Sequence, residues 1–342
     1  MLRKFFIIVP VVILFYSASC SQEIKMNVYN TTGKIQREDP AINGLIPQDA
    51  VVEILAEGFG WSEGPVWVKK GGYVLFTDVP KNSVYKWQEQ EGLSLYLRPS
   101  GFAFGDKYPG GDVGSNGLFI NPVNGELVLC DHGNRCLTEL NMKNWSKKII
   151  INSFEGKRFN SPNDVVINSK GHFYFTDPPY GLTAPNYPEK EIDFSGVYHL
   201  KPDGRIELVT KEFDYPNGIA LSPDEKTLYI SNSGKKRIWM TFDIAEDGST
   251  SNGRIFYDAT GFNKYGKDGN CDGMAVDDKG NIWATGPGGV MIFTPEGKYL
   301  GSVDTGTLVA NCKFGGENGN ELYIAAHNYL CRVKVNVKGL GF

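Results

Sequence analysis

One hairpin grammar recurs six times along this chain, and no other feature limits its fold as tightly. Aligned by their turns, the segments read GPVWVKKGGYVLFTDV, NGLFINPVNGELVLCDH, NDVVINSKGHFYFTDP, NGIALSPDEKTLYISNS, DGMAVDDKGNIWATG and NCKFGGENGNELYIAAH. Each opens on a polar residue, runs through a short apolar strand, turns at glycine or polar residues, and returns through an aliphatic or aromatic strand. The opening residues are Glu63, Asn116, Asn163, Asn217, Asp272 and Asn311, spaced 53, 47, 54, 55 and 39 apart. That period is close to the roughly 40–50 residues of a four-stranded propeller blade. Gly196–Lys201, Arg205–Val209 and Arg237–Asp243 supply candidate outer strands, and Val51–Ala56 is a lone strand suited to close the ring on the last blade near Arg332–Val337. The expectation is an all-β six-bladed β-propeller over residues 49–342. Composition agrees: 41 glycines in 342 residues imply many turns, and 13% aromatic residues suit pleated, half-buried surfaces.

A net charge of −4, from 35 basic and 39 acidic residues, with no basic block, argues against a nucleic-acid surface. Arg3 and Lys4, the apolar run Phe5–Tyr16 and the small residues ending at Cys20 have the order of an export signal, so residues 1–20 are read as a signal peptide. Ser17-Ala18-Ser19-Cys20 resembles a bacterial lipobox, with Ser17 where Leu is usual. A lipidated Cys20, a plainly cleaved peptide and an uncleaved anchor all export the protein, giving a periplasmic or outer-membrane-anchored lipoprotein as the expected location. Residues 21–48 lack periodicity and read as a tether. Cys130, Cys136, Cys271, Cys312 and Cys331 are odd in number and show no CxxC spacing, so isolated buried thiols are expected, with one disulfide left open.

In a propeller the first strand of each blade lies innermost, so the six opening residues converge on the central channel at one end. Two carboxylates and four amide carbonyls, without thiol, imidazole or ammonium, suit a hard divalent cation. Calcium is the first expectation and Mg²⁺ the second, within a wider choice that includes Mn²⁺ and Zn²⁺. Asn-Gly and Asp-Gly are common turn dipeptides, but turn chemistry explains neither Glu63 nor the asparagines kept before Asp164 and Cys312. A central metal site therefore belongs to the expected fold. The ends of the second strands, Asp78, Asp131-His132, Asp177, Asn232, Thr285 and Ala326-His327, form a second polar tier read as orienting ligands or contacting a polyhydroxylated substrate. His172 and His199 are read as structural.

The segments SEGPVW, GKRFNSPNDVV, FTDPPYG, YPNGIAL and CDGMAVDDKGNIW, in this order, resemble the gluconolactonase branch of the family that joins senescence marker protein, gluconolactonase and luciferin-regenerating enzyme. The resemblance covers the chain from about residue 50 onward. It implies a six-bladed propeller with a central divalent metal and a hydrolase that opens a sugar lactone; the site chemistry adds polarisation of the carbonyl by the metal and Asp-assisted attack of water, with metal-bound hydroxide and direct attack by Asp272 as open alternatives. Carried over by position, it makes Glu63, Asn163, Asn217 and Asp272 metal ligands and Asp272 the catalytic acid/base. Asn163 doubles as a substrate contact beside Asn116 and His132. Two positions depart from the family pattern: Ser161, where some animal members place a substrate-contacting Arg, and Cys271, where Pro is common. Two other functions remain open at this point, an organophosphate triesterase on the same metal and a non-catalytic, calcium-stabilised propeller that binds carbohydrate or protein. The expected partners are a small-molecule substrate and, through the N-terminal lipid only, a membrane.

Overall fold

A computed structural model describes residues 28–103, 110–266 and 268–342. The expected signal peptide and lipid anchor at Cys20 lie outside the described residues. Six antiparallel sheets stand around a channel, four of them built in chain order from the inside outward and two completed on the outside by N-terminal strands. The innermost strands are Ser62–Val68, Ser115–Ile120, Val165–Ile167, Pro216–Leu221, Met274–Val276 and Asn311–Gly315. Each packs on the next, and the sixth packs on the first, so the ring is closed.

The closing blade combines both ends of the propeller. Val52–Glu57 pairs antiparallel with Tyr329–Lys334, with Cys331 opposite Ile54 and Arg332 opposite Glu53. A ring fastened this way leaves no open edge at its seam. Arg332, 3% exposed, reinforces it: Nε donates to Glu53 at 2.7 Å and Nη1 donates to Glu89 at 2.6 Å and Glu321 at 3.3 Å.

The segment read as a tether is corrected by the structure from residue 30 onward. Asn30–Thr32 adds a fifth strand outside Val52–Glu57, and Lys34–Arg37 pairs with Tyr299–Asp304 on the fifth blade. A 3₁₀ turn, Pro40–Gly44, follows, with Asp39 accepting from the Ala41 amide at 2.9 Å. Ile42, Leu45 and Ile46 then bury themselves with Trp283, Leu300 and Val303. Three apolar side chains within five residues carry this docking, and their spacing is irregular because they cap a sheet edge instead of lining a strand face.

Aromatic and aliphatic side chains fill the spaces between blades; Phe159, Phe175 and Tyr198 pack edge-on or offset at 5.1–5.4 Å. Cys130, Cys136, Cys271, Cys312 and Cys331 are buried, free thiols among these contacts. Among the described residues, no helix is long and apolar enough to cross a membrane.

Candidate functional site

Each predicted opening residue stands at the same end of its inner strand, and the glycine after most of them marks where neighbouring strands nearly touch. A Cβ on Gly64 would lie 2.3 Å from the Asn116 carbonyl oxygen, and one on Gly218 would lie 2.2 Å from that of Asp272. The Asn-Gly and Asp-Gly pairs are thus close-packing devices of the ring, not turns. In the third blade Asp164 takes the glycine's place and fills the gap: its carboxylate accepts from the Val165 amide at 2.9 Å and, on the next blade, from the Ile219 amide at 3.4 Å.

The second strands hold the ring by two kinds of clamp. Their terminal Asp or Asn side chains grip the loop entering the same blade: Asp78 accepts from the amides of Gly60 and Trp61, Asp177 from those of Asn160 and Ser161, and Asn232 from that of Tyr215. The hydroxyl one residue earlier reaches the next blade. Thr77 donates to the Asn116 carbonyl at 3.0 Å, Thr176 to that of Asn217 at 2.7 Å, and Ser231 to that of Asp272 at 2.8 Å. Of the two roles read for this tier, orienting the ring or contacting substrate, these side chains serve the first: their polar groups are taken up by backbone that burial would otherwise leave unpaired. His327 is exposed with its ring edge-on to Trp61 at 5.4 Å. His172 and His199 are buried away from the ring, joined Nδ1 to Nε2 at 2.8 Å.

Four ring oxygens are left without partners. The Oδ1 atoms of Asn116, Asn163, Asn217 and Asp272 are all buried and accept no hydrogen bond. Asn217 is fixed with its carbonyl free, since its amide donates to Ser233 Oγ at 2.9 Å and Ser233 donates to the Cys271 carbonyl at 2.7 Å. Asn311 is spent differently: it donates to Glu63 Oε2 at 3.1 Å, and its own Oδ1 accepts from the Cys312 amide. Glu63 Oε2 also accepts from the Gly64 amide at 2.6 Å.

The charge is as unbalanced as the hydrogen bonding. Burial pushes the Glu63 carboxyl up to about 8, with the Asp164 charge adding to the rise. Asp272 is raised well above the usual carboxylate range by burial and then by Glu63 and Asp164. Burial raises Asp164 as well, with Lys313 opposing. Three carboxylates that repel one another in a low-dielectric channel call for positive charge. Among the described residues no three Asp, Glu, His or Cys side chains group as ligands. A cation here would draw on the orphaned amide oxygens for much of its shell, which suits a hard, oxygen-seeking ion.

Two loops border this end of the channel. Gly111 and Asp112 donate their amides to the carbonyls of Gly181 and Tyr180, both at 3.2 Å. Ser161 secures the same 178–181 loop: its hydroxyl donates to the Pro178 carbonyl and accepts from the Gly181 amide. Tyr180 lies in hydrogen-bonding reach of Ser233 and Asn217 and feels the Asp272 charge; burial raises its phenol. Its ring lies 5.6 Å from Tyr215, whose hydroxyl meets that of Tyr187 at 2.8 Å. Asp112 is pushed up to about 6 by burial. His132 packs under Gly181, fully buried, with neither ring nitrogen paired, and burial lowers it to about 3 so that it is neutral.

Residues 61–328 match the family described as SMP-30/Gluconolactonase/LRE-like region. The chain belongs to this family. A gluconolactonase of Zymomonas mobilis is 37% identical, over 97% of this chain and 96% of its own length. The solved gluconolactonase of Xanthomonas campestris superposes with a TM-score of 0.77 at 27% identity, covering 90% of this chain and 99% of that one. A calcium-binding regucalcin from Agrobacterium tumefaciens shares the fold, with a TM-score of 0.66 at 17% identity, covering 84% of this chain and 94% of that one.

The ring of this SMP-30/gluconolactonase propeller is visible in the sequence, but Asp164, Tyr180, Ser233 and the clamping hydroxyls other than Thr285 are not singled out by it. The signal for the clamps was present in the Thr-Asp, Ser-Asn and Thr-Gly pairs that end four of the second strands. Asp164 was visible only as an interruption of the glycine pattern.

Proposed function

We propose that this protein is a metal-dependent lactonase that opens a sugar lactone at the orphaned oxygen ring. The reading is carried by one observation: four buried side-chain oxygens without partners, beside carboxylates that burial holds above their usual range. Family membership and the Zymomonas gluconolactonase, matched over nearly its whole length, support lactones as the substrate class.

Glu63, Asn163, Asn217 and Asp272 would hold the ion, with calcium favoured by an all-oxygen set rich in neutral amides. When bound, a divalent cation supplies Lewis-acid polarisation of the lactone carbonyl and charge to offset the developing oxyanion. Ser233 and Thr176 keep Asn217 in place. Asp272, with Oδ1 free, removes a proton from the attacking water as its oxygen bonds to the carbonyl carbon. The ring C–O bond then breaks and the proton passes to the departing alkoxide, giving the open hydroxy acid. Tyr180 stands beside Asp272 and donates to the substrate, while Asn116 offers a polar contact to its hydroxyls; His132, covered by the 178–181 loop, supports that loop from beneath. Tyr215 and Tyr187 add aromatic faces tipped with hydroxyl groups, a surface that suits a ring with one apolar side. The export signal read at residues 1–20 supports a location in the cell envelope for this reaction.

The test is a pH-stat assay on aldonolactones and phosphotriesters, using chelated protein with Ca²⁺, Mg²⁺, Mn²⁺ or Zn²⁺ restored. Metal-restored hydrolysis of at least one aldonolactone is expected. Turnover of phosphotriesters alone would replace the lactonase with a triesterase, and no turnover of any compound would make the propeller a binding protein.

A further inference from the structure

We propose that the opposite end of the channel is a second small-molecule site, built for an amphipathic carboxylate such as a medium-chain fatty acid. A cavity of about 730 Å³ opens there, within the roughly 300–1,000 Å³ common for ligand pockets. It is distinct from the carboxylate ring, since none of Glu63, Asn116, Asn163, Asn217 or Asp272 lines it.

The inner strands explain its character. Just below the ring, five of them present Val66, Phe119, Val166, Ala220 and Ala275, and the sixth presents Lys313. Lys313 occupies this level because Asn311–Gly315 pairs with its neighbour without the register shift that the first, second and fourth inner strands show. One ammonium therefore stands in an otherwise apolar layer.

That ammonium is poorly satisfied. Among the described residues Lys313 has no carboxylate within ion-pair distance; its Nζ lies 5.6 Å from the centre of the Phe119 ring and feels Asp164 only at longer range. The charges at the rim are different. Lys69 donates to the Gly341 carbonyl at 3.0 Å, and Glu225 accepts from the amide and hydroxyl of Ser169 at 2.8 and 2.7 Å. A half-buried cation surrounded by apolar walls lacks the partner that burial demands. A ligand with one anionic head and a hydrocarbon body supplies that partner and covers the walls.

The walls are also preformed. Trp67 stacks on Tyr323 at 5.6 Å and Phe314 packs edge-on against Trp283 at 5.4 Å, so neither ring needs to reorganise to receive a ligand.

The experiment is calorimetric titration of the full-length, metal-stripped protein with sodium octanoate and, separately, 1-octanol. Stripping the metal removes carboxylate ligation at the other end of the channel as a source of signal, and makes the result independent of the lactonase reading. Saturable octanoate binding is expected, at least about tenfold tighter than octanol. Lys313→Met should weaken octanoate by at least the same factor and leave octanol unchanged, while Lys313→Arg retains most of the affinity. A second readout needs no variant: octanoate should protect Lys313 from acetylation, mapped by mass spectrometry. Absent octanoate binding, equal affinity for octanol, or binding indifferent to Lys313→Met would each overturn the proposal. In that case Lys313 serves only to offset the charge of Asp164.

Discussion

Single residues in the ring are held by neighbours whose roles can be separated. In the proposed function Asp272 would carry both a ligand oxygen and the base. Asp272→Asn should lower turnover by about 10²–10⁴-fold, the usual span for removing a general acid or base, while the melting temperature stays near wild type. Substantial residual activity in the folded, metal-loaded variant would remove Asp272 from that role. Ser233 never enters the ring, yet it fixes the direction of the Asn217 carbonyl. Ser233→Ala should therefore weaken calcium binding by about 10–100-fold, as loss of a group that orients a ligand generally does; a calorimetric affinity equal to wild type would mean Asn217 is held by its backbone alone. The ring positions themselves were legible from spacing because strand direction fixes which residue faces the channel. Their supports were not, since Ser233, Thr77, Thr176 and Ser231 act across blades, and one sequence read for local patterns does not contain that adjacency. His132 was legible as a channel-end residue, but its complete burial depends on the 178–181 loop folding over it.

Elements add a second level, where the N-terminal segment departs most from expectation. The strand closing the ring was predictable because Val52–Glu57 had no partner of its own within the first blade. Residues 30–48 were misread as tether because the two short strands and the 3₁₀ turn follow no period; each borrows its regularity from the sheet edge it covers. Ile46, within this segment, is fully buried against the fifth blade. Ile46→Ala should cost about 2–5 kcal/mol, the range for large-to-small core changes, measured by urea denaturation; a loss below 0.5 kcal/mol, on the order of an exposed-site change, would show that the segment is dispensable. At the seam, Arg332→Met leaves Glu53, Glu89 and Glu321 without their shared cation. These carboxylates keep partial solvent contact, so the expected cost is about 2 kcal/mol, below the roughly 3–5 kcal/mol of a fully buried broken pair.

Across the whole molecule, the channel places an oxygen-lined, charge-poor-in-cations end above an apolar end with one lysine, and the blades around it set the conditions under which it survives. Acid stability offers a check on the blades. His172 and His199 share one hydrogen bond, stack near Tyr174 and adjoin Gly248; Lys170 and Lys201 oppose their protonation, while Glu207, Asp247 and Asp203 favour it. Burial dominates, lowering His172 and bringing His199 from 6.5 to about 4. A histidine with a depressed folded pKa contributes stability that is full above its unfolded value and lost as pH falls toward the folded one. Between pH 6.5 and about 4 the pair should therefore lower the melting temperature, while Asp112 and Asp177, whose carboxyls burial raises, act in the opposite direction; the double variant His172→Phe/His199→Phe should lose less stability on acidification than wild type, and an unchanged pH dependence would show that the pair carries none of it. The global architecture was the most legible level, because six repeats of about fifty residues admit few closed arrangements. Function is less so, since a fold of this kind serves many chemistries and the site alone decides among them. The deciding measurement is a calcium titration of metal-stripped protein with lactone hydrolysis recorded at each addition. Activity should begin near zero, rise in proportion to added ion and level off at one equivalent per chain. Full activity before any calcium or other divalent ion is restored would contradict the account.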